Sequence, residues 1–350
     1  MRVTQSMLSA NSLRHIQNSY KNLGKLEEQL TTGKKVSRPS DDPVVAMKGM
    51  RYRSQVVEVE QFNRNLSEVY NWMDNGDAAL DEVNSVMQRI RELTSQASND
   101  SYETSQRQAI ASEVKQLRDH LESIANTKVN NKYIFNGSDT SGKPVDLSKV
   151  DQEIDIATIN EGNAKDYTLF AEDGTQLLWN DTSGAFIDSK GSKVEVPVTG
   201  EYVAKEVGAV SVNQRDVDIE VTKGVNLNVN ITPQNVFSLD FFSDIGKLVT
   251  ALESPETKGE DLSNFLGVLD GHVDNIISER AELGARYNRV EMVESRLSSQ
   301  EIIAKSTMSE NEDIDAEKTI IELTSQETLH RASLAVGSRI IQPSLIDFLR

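Results

Sequence analysis

Residues Leu30–Met50 read LTTGKKVSRPSDDPVVAMKGM, and they interrupt an amphipathic run with a glycine, two lysines and the punctuation P-S-D-D-P before helix formers return. Gly33 tolerates the left-handed conformation that closes a helix, and Lys34 and Lys35 suit the negative end of its dipole. Ser40, Asp41 or Asp42 can cap the backbone donors of a new helix. Pro43 stands where a first helical turn accepts proline, and the acidic pair faces the positive end of that helix. The stretch therefore reads as a corner between two helices.

Working outward, apolar side chains before the corner fall at Val3, Met7, Ala10, Leu13, Ile16, Tyr20, Leu23, Leu26 and Leu30, steps of three and four that make one stripe. After it, Val59, Phe62, Leu66, Val69, Met73, Leu80, Val83, Met87 and Ile90 continue with coiled-coil spacing, Gly76 taking the skipped position. A loop at Ser98–Ser105 (SNDSYETS) precedes a further stripe, Ile110, Val114, Leu117, Leu121 and Ile124. Two antiparallel helices joined by a short turn follow. The pattern returns at Leu262, Leu266, Leu269, Val273, Ile276, Leu283, Tyr287, Val290 and Leu297. After the polar stretch Ser306–Asp315 a last segment carries Ile320, Leu323, Leu334 and Ile341. Each terminal segment has a narrow stripe it cannot bury alone, so each needs the other or further copies.

Between the helical ends, from Tyr133 to Asn235, the period changes to two. Val217–Val221 (VDIEV) and Val225–Ile231 (VNLNVNI) alternate around the turn-forming Lys223-Gly224, and Tyr167–Phe170 and Lys193–Val198 have the same texture. The expected fold is mainly α with an inserted β-rich domain, a long antiparallel helical hairpin or coiled-coil rod built from both termini.

Composition narrows the function. A 350-residue chain with 37% hydrophobic residues is apolar-poor for one compact globule, which favours an elongated shape. Its net charge of -18 argues against nucleic acid or an acidic membrane as the main partner. The charge is uneven: residues 1–53 hold ten basic and four acidic groups, so the body is more acidic than the total suggests. There are no cysteines, so disulfides and thiolate chemistry are excluded. The N-terminus MRVTQSMLSANSLRHIQ has no uninterrupted apolar core or cleavage pattern, and no run approaches a membrane span, so export would proceed without a Sec-type signal.

Signals for chemistry are weak. His15, His120, His272 and His330 lie far apart without ligand spacing and read as solvated or interface residues. Asp41-Asp42 next to Pro43 reads as a cap rather than an acid/base pair. Asp173-Gly174 and Asp181–Gly184 lack the ligand alternation of a calcium loop and read as turns. No metal, cofactor or catalytic residue is expected. By periodicity alone the terminal stripes fit either the core face of an ordinary bundle or apolar seams that order when copies pack.

Several long stretches narrow the choice: MRVTQSMLSANSLRHIQ at the start, LTTGKKVSRPSDDP at the corner, RELTSQASNDSYETSQRQAIASEVKQLRDHLESIANTKVNNKYIFNGS at Arg91–Ser138, GARYNRVE at Gly284–Glu291, and ELTSQETLHRASLAVGSRIIQPSLIDFLR at Glu322–Arg350. On these the sequence resembles the flagellin superfamily over about 240 residues, the two helical arms. Flagellins of the filament usually continue D-D-A-A-G where this chain has Pro39-Ser40-Asp41-Asp42-Pro43. The run NRNLSEVYNWMD at Asn63–Asp74 is instead similar to the branch that forms the hook-filament junction.

The resemblance implies a structural, non-enzymatic subunit of the extracellular flagellum, exported through the flagellar type III apparatus. It implies three domains: residues 1–38 and 308–350 as terminal helices of an inner coiled-coil tube, disordered in the free monomer; 39–138 and 245–307 as a helical rod; and 139–244 as a β-rich surface insertion. Val3, Met7, Leu13, Ile16, Tyr20, Leu23, Leu30, Ile320, Leu323, Leu334, Ile341 and Leu345 would form the assembly interface. Gly33, Pro39, Asp41, Asp42 and Pro43 would form the interdomain connector. Implied partners are other copies in a ring, hook-associated protein 1 on the hook side, flagellin on the filament side and an export chaperone, with no nucleic acid and no membrane insertion. A filament subunit, or an adhesin whose β insertion binds a ligand, are the alternatives.

Overall fold

The computed structural model describes residues 5–99, 102–160, 162–171, 176–181, 183–188, 193–194 and 202–341. Three helices open the chain, α1 (Gln5–Thr32), α2 (Pro43–Ala97) and α3 (Thr104–Ala125). A hairpin follows, β1 (Lys128–Val129) and β2 (Lys132–Tyr133), then the short helix α4 (Leu147–Val150). The insertion holds β3 (Tyr167–Ala171), β4 (Gln176–Asn180), β5 (Ala185–Ile187), β6 (Lys193–Val194), β7 (Tyr202–Glu206), β8 (Asp218–Thr222) and β9 (Val225–Asn228). The chain closes with α5 (Pro233–Val236), α6 (Leu239–Glu253), α7 (Gly259–Glu312) and α8 (Ala316–Ile341).

Local chemistry sets these boundaries. The expected loop after α2 ends where Glu103 and Gln106 form a reciprocal capping box for α3. Asn130 and Asn131 both take positive φ, 52° and 64°, as the tight turn between β1 and β2 requires, and asparagine tolerates it. Gly224 (φ 73°) turns β8 into β9, the hairpin expected from the alternating runs. The polar stretch 306–315 is mostly helical: α7 continues through Glu312, with Ala304, Met308 and Asn311 facing inward, and only 313–315 break it. Of the expected strand Lys193–Val198, residues 195–198 lie outside the described residues.

The contacts divide the chain into two compact units. Unit 1 is Met1–Gln61 with Arg296–Arg350, and unit 2 is Phe62–Ser295. In unit 2, α2 buries Val69, Met73, Leu80, Val83, Met87 and Ile90, the positions its spacing predicts. Val114 and Leu121 of α3 are buried as well, and so are Leu269, Ile276, Leu283 and Val290 of α7. Next to α3, α6 carries Phe241 and Phe242 into an aromatic cluster with Phe237 and Phe135. Its edge-to-face pairs have centroids 5.0–6.2 Å apart.

Five strands of the insertion form an antiparallel sheet in the order β6-β5-β4-β3-β7. One face packs Leu169, Leu177, Phe186 and Ala204 over Ile159 and Ala164. On the other, the Lys205 ammonium is buried and donates to the carbonyls of Val150 and Gln152 at 2.6 and 2.9 Å. Burial lowers its pKa.

Candidate assembly interface

Unit 1 is built on the pair α1 and α8 and on the corner beside it. Along α1 the buried and half-buried positions include Ser9, Ser12, Ile16, Ser19, Leu23, Leu26 and Leu30, in steps of three and four, with Gln29 beside the last. Along α8 they are Thr319, Leu323, Gln326, His330, Ser333 and Gly337, with the same alternation. These faces meet: Gln326 donates to the Ser19 hydroxyl at 3.3 Å, and a Cβ on Gly337 would stand 3.1 Å from the Ile16 Cδ1. The seam mixes small polar residues with leucines, so it brings the helices close while burying modest apolar area.

The expected interface residues therefore separate into two groups. Ile16, Leu23, Leu30 and Leu323 lie in the seam. Met7, Leu13, Tyr20, Ile320 and Leu334 face water, Tyr20 at 71% exposure and Leu13 and Leu334 at 48% each. Val3 and Leu345 lie outside the described residues, and Ile341 ends α8. Among the described residues, unit 1 holds fourteen of the twenty exposed large hydrophobics, although it is the smaller unit. Its fully buried apolar residues are Val56, Val59, Leu297 and Ala304.

The corner closes in a way the sequence did not show. Gly33 takes φ 67° and donates to the Gln29 carbonyl at 2.8 Å, ending α1 as expected. The connector then lies against the break between α7 and α8. Lys34 and Asp313 form an antiparallel bridge, Lys35 N–H donates to Glu312 O at 2.7 Å, and Ile314 N–H donates to Gly33 O at 3.0 Å. Lys34 pairs with Asp313 at 2.6 Å, and Arg53 with Glu312 at 2.7 Å. The lysines thus serve an acidic partner segment rather than only a helix end.

Caps follow: Asp42 accepts from the N–H groups of Val44 and Val45 at 3.0 and 3.1 Å with Pro43 opening α2, and Asp41 accepts from Arg38 N–H. Pro39 stands in the connector, lining a small cleft of about 130 Å³ with Val36, Met50 and Arg53.

Glu312 is the buried centre of this corner, its side chain 7% exposed. A Cβ on Gly49 would lie 2.5 Å from its Oε1, so the α2 backbone can approach the carboxylate only because residue 49 is glycine. Oε1 has no hydrogen-bond partner among the described residues. Arg53 holds the Glu312 pKa below the ordinary carboxylate range against its burial, and Lys34 does the same for Asp313. Neither Gly49 nor Glu312 stood out in the sequence, because nothing in a 3-4 pattern marks a contact across some 260 residues.

The histidines are dispersed. His120 meets Glu82 at 3.0 Å and His272 meets Asp244 at 3.1 Å in unit 2, whereas His330 sits 6.0 Å from the Tyr20 ring in unit 1. Among the described residues no three His, Cys, Asp or Glu side chains are placed to hold a metal. No described helix is long and apolar enough to cross a membrane.

Comparison with known proteins gives consistent matches. Residues 3–140 match the family described as bacterial flagellin N-terminal helical region, and residues 266–349 match bacterial flagellin C-terminal helical region, together more than half of the chain. Flagellar hook-associated protein 3 of Escherichia coli K12 is 25% identical, with 95% of each chain covered. A flagellin of Clostridium tyrobutyricum is 23% identical, covering 96% of this chain and 98% of its own. A solved structure described as a putative flagellar hook-associated protein from Vibrio parahaemolyticus has a TM-score of 0.56 at 18% identity, over 78% of this chain and all of that one, which shows a shared fold.

Proposed function

Because the chain belongs to the bacterial flagellin family, we propose that it is a structural subunit of the flagellum that forms the junction ring between hook and filament. The observation that carries this reading is the apolar surface of unit 1: seven exposed large hydrophobics from Met7 to Val57 and seven from Ile302 to Val336. A surface of that kind belongs against further protein. Burying it offsets ordering of the roughly sixty terminal residues, at about 25 cal/mol per Å² of apolar area. Assembly then depends on a template that presents matching faces.

In this reading Val3–Leu30 and Ile320–Ile341, with Leu345, meet the same segments of neighbouring copies in an inner tube. Gly33, Pro39, Asp41, Asp42 and Pro43 connect them to the outer helices, and residues 139–244 face solvent. One face of the ring would meet hook-associated protein 1 and the other the first flagellin, after export with a chaperone through the type III apparatus. The whole-length match to a hook-associated protein 3 supports the junction reading.

Replacing Leu334 by Asp tests it. The variant should fold unit 2 normally yet leave cells with hooks, no filaments and flagellin in the medium; normal filaments on cells carrying only this variant would refute the reading. The comparable match to a flagellin favours a second reading, the filament subunit itself. Deleting the gene would then give bare hooks with no flagellin anywhere.

A further inference from the structure

We propose that the start of α2, Pro43 to Val57, is one half of a head-to-tail contact between copies of this chain, the other half lying on residues 62–295 of the next copy. The inference rests on the reading above that copies assemble side by side.

The stretch reads PVVAMKGMRYRSQVV, with Lys48, Arg51 and Arg53 and no acidic residue, in a chain of net charge -18. Arg53 is committed to Glu312. Lys48 and Arg51 are exposed and make no hydrogen bond or ion pair among the described residues. The helix dipole does not call for them, since its field fades within the first turn and both lie beyond it. The same stretch leaves Val44, Met47, Met50 and Val57 in water, Met47 at 64% exposure. Methionines between free cations make an adaptable apolar surface with a basic rim.

The complement to such a surface is acidic. Residues 62–295 hold 21 basic and 40 acidic groups, a charge of -19, whereas the rest of the chain holds 16 and 15, or +1. Docked against the near-neutral unit 1 of a neighbour, Lys48 and Arg51 would meet like charges as often as counter-charges; docked against residues 62–295 they find an acidic excess. Such a contact joins two different patches and is heterologous, the kind that closes into rings when the rotation permits. Its ionic part steers copies into register, and its apolar part holds them.

A photo-crosslinking residue, p-benzoylphenylalanine, in place of Met47 reads the contact directly. Flagella isolated from cells making this full-length variant are irradiated and the adducts mapped by mass spectrometry. Adducts should fall on residues 62–295 of a second copy. Adding Lys48→Glu with Arg51→Glu should reduce them about fivefold or more, as should assembly at ~0.5 M salt, where the Debye length is a few ångströms. Both changes lie on exposed side chains, so circular dichroism should be unaltered.

Adducts on residues 1–61 or 296–350 of a second copy, adducts on a different protein, or no adduct in flagella that contain the chain would each overturn the inference. Absence of the chain from flagella would instead overturn the proposed placement. The same adduct map on concentrated purified chain then decides the copy-to-copy contact by itself.

Discussion

Unit 2 buries its large apolar side chains along α2, α3, α6 and α7, and their three-four spacing is answered position by position inside the unit. Unit 1 has the same spacing and leaves most of its large apolar residues in water, with Ser12, Ser19, Gln326 and Ser333 in the seam where leucines would be expected. Identical periodicity thus yields a finished core in one unit and an open one in the other. The lesson concerns composition within the pattern: seams of small and polar residues align helices without stabilising them much, and apolar residues displaced to the flanks remain available to other chains.

The contrast can be broken most sharply in unit 2. Phe242 is fully buried, and Phe242→Ala should cost about 3–5 kcal/mol, read as a large drop in the urea midpoint. The exposed Leu334→Asp should leave that midpoint unchanged while abolishing incorporation into flagella. A comparable loss of stability from Leu334→Asp would mean that unit 1 has a finished core after all.

Next in size is the seam. Leu23→Ala should remove about 1–2 kcal/mol of local stability, because Leu23 is only half-buried. Hydrogen exchange should quicken in α1 and α8 and stay unchanged in the buried helices of unit 2. Equal acceleration everywhere would show that the units open together.

The smallest effects belong to the corner. Glu312→Gln should cost on the order of 1 kcal/mol, because its partner Arg53 is largely exposed and solvent screens the pair. The pH dependence follows from the lowered pKa values of Glu312 and Asp313. Their stabilisation is complete above the ordinary carboxylate pKa and is lost as pH falls through the depressed folded values. Lys34 has a raised pKa through Asp313, and on the alkaline side the same pairing is lost as pH rises through that raised value, above its usual 10.5. Acidification below the carboxylate range should therefore speed exchange at the Lys35 and Ile314 amides first. Glu312→Gln should flatten that response; an unchanged profile would remove Glu312 from the account.

Much of this architecture was legible in the sequence. The helices, the loop before α3, the hairpin at Lys223-Gly224 and the Gly33 to Pro43 corner all rest on local signals: periodicity, caps and turn residues. What local signals cannot give is which side of a stripe meets which neighbour. Ile16 and Leu13 look equivalent on a helical wheel, yet one packs near Gly337 and the other faces water. The pairing of Glu312 with Arg53 over Gly49 escaped for the same reason, since a distant partner leaves no trace in spacing. The strand order of the insertion likewise follows from pairing at a distance.

The bridge between Lys34 and Asp313 joins residues 279 positions apart, and Ser19 meets Gln326 across 307. Closing loops of that length is slow, and it cannot begin until the distant segment exists. Hairpins and neighbouring helices within residues 62–295 have no such wait. A partly made chain can thus gain an ordered body while its sticky extremities still lack their corner, so chain completion acts as a timer on the competence to polymerise.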